Sequence, residues 1–169
     1  MRSIESPDDG VLKPSLFLAG GTTDCPNWQH ELMDRLKTTP LILFNPRRAV
    51  VPMDDPLEGR KQLMWEYRHG RKATAIAFWF PQEVVCPLAF YALGAMSMTN
   101  KRLFVGVHPD YPHQQDVLTL TALARPDVSL VLSLEQLANQ IIHWACGPRG
   151  MIRAENEGLS REDPGVQGD

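Results

Sequence analysis

The chain has no excess of basic residues. Its 17 Lys and Arg face 20 Asp and Glu, a net charge of -3, which argues against nucleic-acid binding by charge alone. A cysteine framework is missing too. Cys25, Cys86 and Cys146 are odd in number and widely spaced, with no CxxC pair, so a reducing cytoplasm is the expected compartment. The longest apolar run, Ala75 to Phe80, stops at Pro81, far short of the ~20 residues a membrane span needs. The start carries Glu5, Asp8 and Asp9 where an export signal would be basic and then apolar. Neither GxGxxG nor a P-loop with its Lys occurs, which removes the dinucleotide and triphosphate fingerprints. His108 and His113 flank a Pro-containing loop without a third ligand at zinc spacing, so neither a metal nor a cofactor is expected.

What is present suits one soluble domain. With 169 residues, 43% hydrophobic and 22% charged, the chain can bury a single core. Residues 1–14 are polar and Pro-containing and read as an arm; 15–146 hold the periodic segments; 147–169 are Gly-, Pro- and charge-rich and read as a tail. Short apolar runs predict strands over 15–19, 41–44, 75–80, 103–107 and 128–132. Helical spacing predicts helices over 27–37, 61–72, 88–98, 114–124 and 134–144, with a loop across the fifteen residues after Asn45-Pro46 that hold Pro52, Asp54, Asp55 and Pro56. Strands that are unbroken apolar runs and alternate with helices point to an α/β fold: a flavodoxin-like, doubly wound, five-stranded parallel sheet with helices on both faces. Ligands in such sheets sit beyond the carboxyl ends of the strands, so the residues that matter should follow strands directly.

The polar segments do follow strands. Gly20-Gly21-Thr22 can bring backbone amides close to a ligand, or be a tight turn. Arg47 and Arg48, after Asn45-Pro46, can clamp an anion or pair with Asp54, Asp55 or Glu58. Glu66 and His69 share a helix face, and Glu66 can orient a hydroxyl or handle a proton; the blander reading puts Trp65 in the core and Glu66 in solvent. Trp79, among the aromatics of Phe78-Trp79-Phe80-Pro81, can stack on a base or fill the core. Cys86, just before a helix that starts near Pro87, invites a lowered thiol pKa.

Taken in order, Phe17 to Gly21, Asn45 to Arg48, Trp65-Glu66-Tyr67, Phe78 to Pro81, Cys86-Pro87 to Gly94, Lys101 to Pro109 and Arg125 to Val128 resemble the nucleoside 2-deoxyribosyltransferase-like family over about residues 15 to 142. The resemblance implies an enzyme that exchanges or hydrolyses the N-glycosidic bond of a (deoxy)nucleoside through a covalent Glu-glycosyl intermediate. Its partners would be a nucleoside and a free nucleobase, and it would form a homo-oligomer. The family helix reads Tyr-Glu-Leu-Gly, but this chain reads Tyr91-Ala92-Leu93-Gly94. Ala92 therefore occupies the nucleophile's position, and a methyl group cannot attack carbon. Thr74 stands where an Asp is common and Gly70 where a Leu is common. The chain is expected to be an inactivated Glu-to-Ala form that keeps Glu66 as its remaining acid–base group. Gly20, Gly21, Thr22, Asn45 and Arg47 are expected to contact substrate, as are Trp65, His69, Trp79 and Pro87. The alternatives are a non-catalytic nucleoside- or nucleotide-binding protein and a hydrolase of nucleoside 5'-monophosphates.

Overall fold

The computed structural model describes residues 14–48 and 56–147. The Asp54–Asp55 pair, with nearly all of the expected arm and tail, lies outside the described residues. Five strands, β1 (Ser15–Gly20), β2 (Ile42–Phe44), β3 (Ala75–Phe80), β4 (Arg102–Val107) and β5 (Leu130–Val131), form one sheet in the order β2-β1-β3-β4-β5, and every pairing is parallel. Five helices alternate with them: α1 (Trp28–Leu36), α2 (Pro56–Lys72), α3 (Pro87–Ser97), α4 (Gln114–Ala124) and α5 (Leu134–Cys146). This is the predicted doubly wound architecture.

Side chains of successive strand residues point to opposite faces, and the two faces carry separate cores. Leu16 and Leu18 of β1 and Ala75, Ala77 and Trp79 of β3 pack against Trp28, Leu32 and Leu36 of α1 and Leu137 and Ile141 of α5. The intervening residues, Phe17, Ala19, Ile76, Phe78 and Phe80, face α2, α3 and α4, meeting Ala89, Leu93 and Val117. Because β3 lies between β1 and β4 with a helical layer on each side, all six of its residues are buried. That is why it reads as an unbroken apolar run. No helix among the described residues is long and apolar enough to cross a membrane.

Helix ends follow local chemistry. Asn27 caps α1 by accepting from the His30 amide at 3.1 Å, and Ser133 caps α5 by accepting from the Gln136 amide at 3.2 Å. Two boundaries differ from expectation. Helix α2 starts at Pro56, inside the stretch read as a loop, because proline's fixed φ and missing N–H suit the first helical turn. Strand β5 shrinks to two residues because, at the sheet edge, only Leu130 and Val131 find register partners, Val105 and Gly106.

Thr74 works at the opposite end of the sheet from the strand C-termini. Its hydroxyl accepts from the Ser15 amide at 3.1 Å, and the Ser15 hydroxyl accepts from the Thr74 amide at 3.1 Å. The two residues staple the starts of β1 and β3.

Candidate functional site

The C-terminal ends of β1, β2, β3 and β4 release Gly20, Phe44, Phe80 and Val107 into four loops along one rim. The chain runs from β1 outward to β2 and then crosses to β3 on the other side, so the switch point lies between β1 and β3. The glycine pair sits there. A Cβ on Gly20 would lie 2.3 Å from the Trp79 carbonyl oxygen and 2.6 Å from Trp28 Cζ2, so only glycine fits between β3 and α1. A Cβ on Gly21 would meet Val84 Cγ2 at 2.8 Å, Cys25 Sγ at 3.0 Å and Cys86 Sγ at 3.1 Å. Packing within the chain thus demands both glycines. The Gly21 carbonyl accepts from Trp28 Nε1 at 2.8 Å and from Gln29 Nε2 at 2.9 Å. Thr22 follows, half-buried.

Asn45 and Arg47 organise the next loop. Asn45 Oδ1 accepts from the Arg47 amide at 2.9 Å, an Asx-type turn. The Arg47 guanidinium donates to the carbonyls of Cys25 and Pro26, both at 2.9 Å, and to Gln29 Oε1 at 3.1 Å. Arg47 therefore laces the β2 loop to the β1 loop instead of pairing with an acidic residue. Arg48 takes the pairing role, 3.2 Å from Glu58, which also holds Lys61 at 2.7 Å.

The α2 carboxylate is half-buried. Gln62 donates to the Pro46 carbonyl at 2.9 Å and to Glu66 Oε1 at 2.7 Å, so Glu66 is tied to the β2 loop through one glutamine. Burial pushes the Glu66 pKa up and the Gln62 hydrogen bond opposes it; no cation among the described residues pairs with it. Such a group is suited to holding or releasing a proton. His69 does not join Glu66. Its ring stacks on Trp65 at 4.1 Å, its Nδ1 lies 2.8 Å from the Trp65 carbonyl oxygen, and it meets the Phe44 ring edge-on at 5.1 Å.

Two expectations need correcting. Trp79 is only 4% exposed, in the core on the α1–α5 side, with its ring 2.7 Å from where a Cβ on Gly106 would lie. It has no open face for stacking on a base. Cys86 caps α3 in a left-handed conformation (φ 52°, ψ 54°), but burial pushes its thiol up to about 11 instead of down. At Cys86 desolvation outweighs the helix terminus.

Pro87 opens α3 at an exposed position. Ala92, one and a half turns on, is half-buried and packs against the core that holds Phe78, Phe80, Ala89 and Leu93. No residue of α3 carries a charge. Among the described residues, no group of three His, Cys, Asp or Glu is placed to hold a metal.

Sequence reasoning missed Gln29, which is fully buried and bridges Gly21 and Arg47. Its position in the apolar stripe with Leu32 and Leu36 was the available signal. It placed Tyr111 in the segment after β4 but did not foresee that its hydroxyl donates to the Val85 carbonyl from a buried position. Nothing local in the sequence joins those two positions.

Residues 13–111, more than half of the chain, match the model of a family described as nucleoside 2-deoxyribosyltransferase like. No curated protein matches the chain.

Proposed function

Because the chain belongs to the nucleoside 2-deoxyribosyltransferase-like family, we propose that it binds a nucleoside at the β1–β3 rim and, as it stands, holds that ligand without cleaving it. Family membership supports glycosyl-transfer chemistry at the level of the family, and the carrying observation for this chain is Ala92. Covalent transfer through a carboxylate needs that group aimed at the anomeric carbon, and α3 carries no Asp or Glu. With a carboxylate at that place, a carbon–oxygen bond would form as the carbon–nitrogen bond breaks. The departing electron pair would go to the base nitrogen, which takes up a proton. A second base or water would then release the sugar.

In this reading Glu66 handles the proton or a sugar hydroxyl, supported by its half-buried state and its raised pKa. Gly20, Gly21 and Thr22 lie at the end of β1, Asn45 follows β2, and Pro87 opens the helix after β3. Trp65 and His69 act as one stacked unit behind them. Arg47 shapes the rim from behind. Since Arg47 and Arg48 are both engaged within the chain, the ligand we favour is an unphosphorylated nucleoside.

The test is Ala92→Glu. Calorimetry should give an isotherm for the unaltered chain with a deoxynucleoside, and chromatography should show base release or exchange only with Ala92→Glu. No binding by either form, across purine and pyrimidine nucleosides, would remove the proposal.

We also place a second copy of the chain on the outer surface of α3 and α4, and the protein in the reducing cytoplasm. The first is supported by a wide apolar groove of about 450 Å³ lined by Val85, Pro87, Phe90, Tyr91 and Leu120. The second rests on the free state of Cys25, Cys86 and Cys146 and is checked by locating the tagged protein in fractionated cells.

A further inference from the structure

Cys25 and Cys86 lie far apart in sequence, yet the fold brings their sulfurs to one place. Sγ of Cys25 is 3.0 Å and Sγ of Cys86 is 3.1 Å from the position a Cβ on Gly21 would take. The sulfurs are therefore no farther apart than the sum of those two distances. Both are free thiols and both are half-buried. One sits in the loop after β1 and the other in the loop after β3, on the two sides of the switch point. Each side has a left-handed residue, Asp24 at φ 55° and Cys86 itself at φ 52°, so the chain turns sharply at both thiols. A Cβ on Gly21 would crowd both sulfurs, so the glycine leaves room for them on one side of the loop.

We propose that Cys25 and Cys86 form a redox-modification site, closing to an intramolecular disulfide that ties the β1 loop to the β3 loop over Gly21. The oxidant is a low-molecular-weight disulfide such as oxidised glutathione. The Cys25 thiol loses its proton to solvent and its sulfur attacks one sulfur of the oxidant, expelling one glutathione thiolate. The Cys86 thiol, likewise deprotonated, attacks the Cys25 sulfur of the mixed disulfide and expels the second. Both leaving thiolates take up protons, so two protein thiols are oxidised to one disulfide and one glutathione disulfide is reduced to two thiols.

Burial raises the Cys25 thiol, but the Arg47 guanidinium beside it opposes that rise, whereas no cation among the described residues does so for Cys86, held up to about 11; Cys25 therefore goes first. Burial raises both thiols, which slows exchange near neutral pH. Thiols that are poor as thiolates are also poor leaving groups, so the bond resists reduction once formed. The bridge forms or fails to form with no nucleoside present, so its test stands apart from that of the binding crevice.

The experiment incubates the full chain in buffers of rising oxidised-to-reduced glutathione ratio, followed by intact mass and a non-reducing peptide map. The expected result is loss of two hydrogens and a linked Cys25–Cys86 peptide. It should persist in Cys146→Ser, vanish in Cys25→Ser and in Cys86→Ser, and reverse with dithiothreitol. A stable glutathione adduct on either thiol of the unaltered chain, a link through Cys146, or two thiols left reduced in the most oxidising buffer would each overturn the proposal.

Discussion

The indole N–H of Trp28 and the side-chain amide of Gln29 converge on one acceptor, the Gly21 carbonyl oxygen, at 2.8 and 2.9 Å. Neighbouring residues at the start of α1 thus hold the loop that leaves β1, and Gln29 also passes the restraint to Arg47. A buried carbonyl with two donors can lose one and stay satisfied, but losing both leaves it orphaned.

Trp28→Phe and Gln29→Met should therefore be non-additive. Each single change is expected to cost about 1–3 kcal/mol from lost packing and one hydrogen bond. The double change should exceed the sum by roughly 1 kcal/mol, the range seen for residues that share a partner. Urea unfolding of the four proteins measures this. Strict additivity would mean that the carbonyl finds another donor.

Glu66 gives a stability change with a defined sign. Its folded pKa is raised by burial, so the folded state binds a proton more readily than the unfolded state. Stability is then fully retained below the ordinary carboxylate range and falls as pH rises through the raised value. Glu66→Gln keeps an acceptor for Gln62 and removes the buried charge. The variant should melt above the unaltered chain at neutral pH, the two curves meeting in acid, while its nucleoside isotherm is lost. Equal melting temperatures across the whole range would show that Glu66 is solvated when charged.

The parts of this molecule legible in its sequence are those decided by neighbours along the chain. Ala75–Phe80 and Gln114–Ala124 have the predicted bounds because a six-residue apolar run ending at Pro81 has one interpretation and the α4 segment lacks any breaker. Asn27 and Ser133 announce helix starts for the same local reason. The first three rim loops were placed correctly because Gly21, Asn45 and Pro81 directly follow the ends of β1, β2 and β3. Roles within the rim were not legible. Whether Arg47 meets a ligand or the carbonyls of Cys25 and Pro26 depends on where two separate loops pass each other. Trp79 looked open because alternation in an all-buried strand cannot tell a core face from a crevice. Thr74 looked like a lost acid, yet its hydroxyl serves the Ser15 amide.

Two glycines should respond oppositely to alanine. Gly70 lies within α2, and a Cβ there would meet only Phe17 Cδ1 at 4.0 Å, an ordinary contact. Gly70→Ala should stabilise by about 0.5–1 kcal/mol through helix propensity and a less flexible unfolded chain. Gly106 lies in β4, and its Cβ would stand 2.7 Å from Trp79 Cε3 and 3.0 Å from Cζ3. That ring is rigid and buried, so Gly106→Ala should destabilise by about 1–3 kcal/mol. Thermal melts rank the two against the unaltered chain, and a stable Gly106→Ala would show that Trp79 can shift.

The outer surface of α3 and α4 sets the last expectation. Tyr91 and Leu123 are 79% and 76% exposed, and Asp116 is the only charge on either helix. A helix apolar all round is normally covered. A twofold interface sets each patch against its own copy, and a surface with Asp116 as its single charge brings few like charges together. Sedimentation should find a dimer or larger assembly for the unaltered chain. Leu120→Glu and Leu123→Lys should each dissociate it, because a repeated like charge across an axis is costly. Mixing the two variants should restore association through opposite charges. A monomer at high concentration in the unaltered chain would show that this surface stays bare.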